Sequence, residues 1–329
     1  MSKYQNLLSL KETEIAIKFV KDNFEAKLAN NLNLMRVSAP LFVFKNSGLN
    51  DNLNGVERPV AFDAKDIKGE IEVVHSLAKW KREALGRYNI GEHQGIYADM
   101  NAIRRDETLD NIHSLYVDQW DYEVVIKKEE RNLDFLFKVV RIIYKTMQEI
   151  EDLVNQKYPV FKKKLPEEIT FINAEDLEKE YPTLSRKERE NVVAKKYKAV
   201  FLYPIGWNLK DGKPHDGRAP DYDDWHLNGD IIVYNPILDS AFELSSMGIR
   251  VDEESIIKQI KERKREEMLK TPFVQKIINK ELPYTLGGGI GQSRLCMFYL
   301  EKAHIGEVQA SLWSEEEKKN ALAQGIELL

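Results

Sequence analysis

Apolar residues recur along the chain at two spacings, and the switches between them mark the elements. From Lys11 to Leu32, the residues Ile15, Ile17, Phe19, Val20, Phe24, Leu28 and Leu32 return at roughly helical intervals with no proline among them. That pattern predicts an amphipathic helix. A longer helix is predicted from Leu133 to Lys157, on Phe135, Leu136, Val139, Ile142, Ile143, Met147, Ile150 and Val154. Shorter helices are predicted over Ala174 to Glu180, Lys187 to Lys196 and the charged stretch Glu253 to Lys270. Ser76 can cap a further helix that carries Lys79, Lys81 and Arg82.

Extended chain is predicted over Met35 to Phe44, broken at Pro40, and over Glu70 to Val74, Ile96 to Arg105 and His113 to Val125. Ile169 to Ile172, Ala199 to Ile205, Ile231 to Asn235, Ala241 to Val251 and Tyr284 to Leu286 complete the strands. In His113 to Val125 one parity holds Tyr116, Asp118, Trp120 and Tyr122, and the other holds Leu115, Val117, Gln119, Asp121 and Glu123. The second face is apolar at one end and acidic at the other, which marks either a site or a sheet edge.

Two polar stretches interrupt the pattern. Asn46 to Gly55 is a turn-forming, solvated loop and a candidate lid. Asn208 to Leu227 holds two prolines and five aspartates, too acidic and too broken for core. With no Gly/Ser/Pro linker and no repeat, residues 1–329 read as one domain. Strands near both ends with long helices between, and no strict β-α alternation, predict an α+β fold: a mostly antiparallel central sheet flanked by helices.

The stretch Leu286-Gly287-Gly288-Gly289-Ile290-Gly291-Gln292-Ser293-Arg294 precedes the apolar run Leu295 to Leu300. Glycines let backbone approach a ligand or a neighbouring strand, and a strand end feeding a helix is a place for an anion. Arg294 falls in the first turn of that helix. Taken alone, the stretch is equally a tight turn between core elements. It is not a P-loop, since no Lys-Ser/Thr follows, and it lacks the dinucleotide-fold spacing.

Bulk properties narrow the function classes. The chain has 329 residues with net charge −5, which argues against a large nucleic-acid footprint. Its one cysteine, Cys296, lies in an apolar run and cannot form an internal disulfide, which fits a reducing cytoplasm. Met1 to Lys18 carries scattered charges and no apolar core, unlike a signal peptide, and no apolar run approaches a membrane span. The six histidines show no metal-binding spacing.

Arg104-Arg105-Asp106-Glu107 ahead of the strand His113 to Val125 resembles motif 2 of class II aminoacyl-tRNA synthetases. Gly289 to Arg294 resembles their motif 3, and Phe242 to Arg250 resembles the preceding strand of the aspartyl and asparaginyl subgroup. The words His75-Ser76-Leu77-Ala78-Lys79-Trp80-Lys81-Arg82, Tyr116-Val117-Asp118-Gln119-Trp120-Asp121 and Arg218-Ala219-Pro220-Asp221-Tyr222-Asp223-Asp224-Trp225 look like the bacterial ammonia-dependent asparagine synthetase family, the aspartate–ammonia ligases. No appended anticodon-binding domain is expected. The rival readings are a synthetase core adenylating aspartate or asparagine for RNA, and a non-catalytic paralogue.

The resemblance implies a class II synthetase-like fold, most often dimeric, with Met35 to Phe44 at the interface. It also implies L-aspartate, ammonia and ATP with Mg²⁺ as substrates, and a β-aspartyl-adenylate between them. Arg104 would bridge the β-carboxylate and the α-phosphate, with Glu107 beside it in the ATP site. Gly289 and Gly291 would floor the adenine, and Arg294 would reach the γ-phosphate. Asp230 and Glu243 would hold Mg²⁺. Lys81 and Arg250 would hold the α-carboxylate, and Gln119, Asp121 and Asp223 the α-ammonium. Ser76, Ser245 and Ser246 would donate to substrate oxygens. Asp51 is the candidate acceptor for the proton of ammonium. A glutamine-dependent route is disfavoured, because Cys296 has no adjacent base.

Overall fold

The computed structural model describes residues 4–329; Met1–Lys3, at the head of the Met1 to Lys18 stretch, lie outside them. Helix α1 (Leu10–Asn31) opens on a capping box, in which Ser9 accepts from the Glu12 N–H and Glu12 accepts from the Ser9 N–H. In chain order there follow β1 (Leu34–Arg36), β2 (Phe42–Phe44), β3 (Ala61–Ala64), β4 (Ile67–Val73), α2 (Ala78–Arg87), β5 (Gly95–Ile103) and β6 (Tyr116–Val125). The middle of the chain is α3 (Leu133–Lys157), β7 (Thr170–Asn173), α4 (Ala174–Glu180), α5 (Arg186–Tyr197) and β8 (Ala199–Tyr203). Last come β9 (Asp223–Asn235), β10 (Ser240–Arg250), α6 (Ser255–Glu262), α7 (Pro272–Ile278), β11 (Thr285–Gly291), α8 (Gln292–Tyr299) and α9 (Glu315–Ala323).

Eight strands form one sheet in the order β1-β5-β6-β11-β10-β9-β8-β7, and β2-β4-β3 form a second, small one. Only β1/β5 and β7/β8 pair in parallel; the central pairs are antiparallel, as expected. One face of the large sheet is the core. Trp120, Tyr122, Phe201, Val233, Leu286 and Ile290 are buried there with residues of α1, α3 and α8. Phe24 of α1 stacks on Trp120 with ring centroids 4.8 Å apart. Gln119, Asp121 and Glu123 alternate onto the opposite face, the one covered by α2.

Several elements differ from the pattern's prediction. The glycines are not a turn after β11 but β11 itself. The extended Met35 to Phe44 divides around Pro40, sending β1 to the large sheet and β2 to the small one. The helix predicted over Glu253 to Lys270 stops at Glu262, where Lys264 takes φ +54°, and a 3₁₀ turn follows at Glu266–Lys270. Ser76 is not the N-cap of α2; Leu77 is, and the Ser76 hydroxyl donates to Asp51. Most consequential, Asn208 to Leu227 is a loop only as far as Tyr222, and its later part is buried. β9 begins at Asp223, and Ala219, Asp221, Asp223 and Trp225 are buried. No helix of the described residues is long and apolar enough to cross a membrane.

Candidate active site

The register of the two central strands explains the glycines. Gly287, Gly289 and Gly291 pair with Glu123, Asp121 and Gln119 of β6, so each faces the polar side of the sheet across from a long polar side chain. A Cβ on Gly287 would sit 2.0 Å from Glu123 Oε2, and one on Gly289 would sit 2.4 Å from Gln119 Oε1 and 2.7 Å from Asp121 Oδ1. The missing side chains are therefore space already filled by three polar groups lying over the strand. Extended chain with alternate glycines is weak by propensity; here β6 and β10 flank it on both sides and hold it.

Above this floor lies a cavity of about 460 Å³, a size suited to a small ligand. It is lined by Asp51, Ser76, Lys81, Arg104, Glu107, Gln119, Asp121, Asp223, Glu243, Ser246, Arg250, Gly289, Gly291 and Arg294. These positions are scattered over more than 240 residues of sequence, from Asp51 to Arg294, yet open onto one space. Two expected site residues do not line it. The Ser245 hydroxyl donates to the Gly289 carbonyl at 3.0 Å and is not turned to the cavity. Asp230 lies behind the wall, with both carboxylate oxygens accepting from Arg218 Nη2 at 2.6 and 2.8 Å.

One end of the cavity is a buried charge network. Arg250 donates through Nε and Nη2 to the two oxygens of Glu123 and through Nη1 to Asp223. Thr285 donates to the same Glu123 oxygen that receives Nε. Burial would raise the Glu123 carboxyl, but the charge and hydrogen bonds of Arg250, then Lys81 and Thr285, hold it below the usual carboxylate range. Asp223 goes the other way: burial raises it more than Arg250 and Arg218 lower it. Lys81 reaches in from α2 and donates to the carbonyls of Tyr122 and Gly288, 3.0 Å each, with Asp121 at 3.5 Å and Glu123 at 3.8 Å. Burial lowers its ammonium pKa against the pull of those carboxylates. Asp121 also accepts from the Leu77 N–H at 3.0 Å, at the start of α2.

The other end is cationic. Arg104 follows β5, its backbone N–H donating to Leu115 O at 2.8 Å, while its buried Nε has no partner. Arg294 donates to the Glu243 carbonyl at 3.1 Å and lies 3.5 Å from its carboxylate, over the Phe242 ring. Burial raises the Glu243 carboxyl, and the charges of Arg294, Arg218 and Arg104 together hold it below its ordinary value. The positive end of α8 is not free for an anion, because Asp118 already accepts from the Ser293 N–H and hydroxyl. Arg294, not the helix terminus, supplies the positive charge there.

Asp51 also lines the cavity. One oxygen accepts from the Leu53 N–H at 2.8 Å and the other from the Ser76 hydroxyl at 2.7 Å. Its loop is solvated as predicted at Asn46, Asn52, Asn54 and Gly55, but Asn50 and Asp51 are buried, and Asn50 donates to Glu72 and to the Val73 carbonyl. Lys79 and Asp221 form a wholly buried ion pair, 2.7 Å, behind this loop. Arg218 and His75, whose ring nitrogen lies 3.1 Å from the Asp51 carbonyl oxygen, line the cavity, and Glu123 and Asp221 hold Arg250 and Lys79 from behind it; the sequence assigns none of these four a role in the site. For Glu123 a signal existed, since it continues the parity of Gln119 and Asp121. Among the described residues no group of three or more His, Cys, Asp or Glu side chains could hold a metal alone.

A family model described as aspartate-ammonia ligase matches residues 11–325. The chain is 60% identical to the aspartate–ammonia ligase of Clostridium perfringens (strain SM101 / Type A) over 327 residues, covering 99% of this chain and 97% of that protein. It is also 60% identical to the protein of that name from Fusobacterium nucleatum, covering 99% of each. Among solved structures, the asparaginyl-tRNA synthetase of Pyrococcus horikoshii complexed with asparaginyl-adenylate matches with a TM-score of 0.66 at 14% identity, over 92% of this chain and 70% of that one. The Entamoeba histolytica asparaginyl-tRNA synthetase gives a TM-score of 0.65 at 12% identity, over 91% of this chain and 66% of that one. At such identities the likeness is one of fold.

Proposed function

The chain belongs to the aspartate–ammonia ligase family, and from that premise we infer that its cavity forms L-asparagine from L-aspartate, ammonia and ATP. A carboxylate is a poor acyl donor, so its β-carboxylate oxygen first attacks the α-phosphorus of ATP. Diphosphate leaves and a β-aspartyl-adenylate remains; ammonia then adds to the acyl carbon and AMP departs. The observation that carries this reading is the polarity of the single cavity. The same space is lined by Arg104 and Arg294, gathered around Glu243 as phosphate chemistry requires, and by the paired charges of Lys81, Arg250, Asp121 and Asp223 that suit an amino acid.

Arg104 bridges the β-carboxylate and the α-phosphate, its guanidinium having donors on two terminal nitrogens for the two oxyanions. Arg294 serves the adenine and the γ-phosphate, above the floor of Gly289 and Gly291, with Glu107 on the same wall. Lys81 and Arg250 take the α-carboxylate. Each is paired within the protein, but Arg250 uses only three of its N–H donors on Glu123 and Asp223. Around the two cations stand three carboxylates, Asp121, Glu123 and Asp223. That excess of negative charge suits the α-ammonium, which Gln119, Asp121 and Asp223 accept. Ser76 and Ser246 supply hydroxyls. Asp51 accepts the proton that ammonium must lose before it attacks.

Glu243 opens onto the cavity and Asp230 lies close behind it. Burial and the neighbouring Glu243 charge push the Asp230 carboxyl up, against Arg218, a condition that a cation relieves. Mg²⁺ commonly keeps one or two protein carboxylates alongside substrate phosphates. Glu243 fits that role directly and Asp230 by exchanging its arginine; the ion supplies charge neutralisation on the phosphates.

The chain acts as one catalytic unit, as a homodimer in the cytoplasm. Met35, Leu41, Phe42 and Phe44, near the expected interface, are each between 44% and 51% exposed, more apolar surface than solvent favours. Static light scattering should give a dimer mass; a monomer at micromolar concentration would refute it. No nucleic acid enters this reading. The direct test incubates the protein with aspartate, an ammonium salt, ATP and Mg²⁺, and should yield asparagine and AMP in equal amounts. ADP as the nucleotide product, or no asparagine, would sink the reading.

A further inference from the structure

A surface ion pair joins the two halves of the cavity. Arg58 donates to Asp106 three times: through its backbone N–H at 2.8 Å, through Nε at 3.0 Å and through Nη2. Arg58 ends the segment that begins at Asp51, and Asp106 sits two residues beyond Arg104. Both partners line the cavity, as do Leu53, Asn54 and Glu57 between them. The segment thus forms a roof over the cavity, tied through Asp106 to the chain that carries Arg104.

The roof is built as a unit with two attachments. Glu57 accepts from the Asn54 and Val56 N–H groups at 3.0 and 3.3 Å, folding 54–57 on itself without secondary structure. On the far rim, Asn54 packs onto Gly217, where a Cβ would lie 2.2 Å from Asn54 Oδ1. The near rim is Arg58 on Asp106. Arg58 is 68% exposed, and an ion pair so open to water shifts an equilibrium by only about fivefold. That is too weak to weld the roof and strong enough to bias it shut. A roof that must admit ATP and release asparagine needs a fastening of that strength.

We propose that Arg58 is a positioning residue whose pairing with Asp106 latches the Asp51 segment over the acyl-adenylate and keeps water from it. The inference rests on the reading above, in which an adenylate waits for ammonia. With the latch open, water adds to the acyl carbon in place of ammonia, the acyl–oxygen bond to AMP breaks, and aspartate returns. ATP is then spent without asparagine being made.

The experiment compares AMP formed per asparagine formed at limiting ammonium. Wild type should give a ratio near unity. Arg58→Ala and Asp106→Asn should each raise it roughly threefold or more, and in Arg58→Ala aspartate-dependent diphosphate exchange should be retained as evidence of an intact fold and nucleotide site. Arg58→Lys should bring it most of the way back. A ratio unchanged in both Arg58→Ala and Asp106→Asn, whatever their kcat, would overturn the latch. A wild-type protein that makes no asparagine would instead overturn the ligase reading, so the two failures are distinct.

Discussion

Arg104→Ala is expected to lower aspartate-dependent exchange of diphosphate into ATP by at least ~10³-fold, the scale of removing a charge-stabilising group from phosphoryl chemistry. The first half-reaction brings a carboxylate onto a polyanion, and Arg104 is the cation at the meeting point. Its backbone is fixed by Leu115 and its side chain makes no direct ion pair, so only its longer-range charge on Glu243 is lost with the side chain. Thermal stability should therefore stay near wild type, which separates lost chemistry from lost fold. Arg104→Lys should recover only part of the exchange, because an ammonium cannot bridge two oxyanions with a planar fork. Exchange that survived Arg104→Ala would assign the α-phosphate to another cation, with Arg105 or Arg218 on the same cavity wall as the next to test.

Asp51→Asn should divide the reaction. Asparagine keeps an acceptor oxygen for the Leu53 N–H and a polar group beside Ser76, so the loop holds its shape. What disappears is the negative charge and the capacity to take a proton. Diphosphate exchange should remain close to wild type while asparagine formation falls by ~10²–10⁴, the usual contribution of a positioned general base. Raising the pH supplies more free ammonia and should narrow the deficit. Equal loss of both half-reactions would reduce Asp51 to a residue that shapes its loop.

The outline of the fold was legible because long segments obey one period. The stripes of α1, except for the exposed Ile15, and of α3 and the alternation of β6 survive into the structure within a few residues. What misled were charges in places where charge usually means solvent. Asp221 and Asp223 are buried because Lys79 and Arg250, remote in sequence, are buried with them. Their partners come from α2 and β10, so no local window could reveal it. Asp51 has the same history, its asparagine-rich loop being held down by Asn50, Ser76 and the edge of β4. The glycines failed in the opposite sense. Gly287, Gly288, Gly289 and Gly291 carry no strand propensity, and only the neighbours Glu123, Gln119, Asp121, Met247 and Arg294 show why these positions can hold nothing larger. Motif likeness brought Arg104, Arg294, Lys81 and Arg250 to the site. It did not distinguish Ser246, which faces the cavity, from Ser245, which turns away, because one step along β10 reverses the face.

Cys296 has so far figured only as a packing residue in α8. It is fully buried, and burial pushes its thiol up to about 12, so at neutral pH it is neither reachable nor ionised. Being the chain's sole sulfhydryl, it leaves the surface blank to maleimides. A cysteine placed at Val56, 81% exposed on the roof, would then be the one position to take a dye. The wild-type background needs no cysteine removed first, and a fluorophore there would report in real time whether the roof moves when ATP arrives.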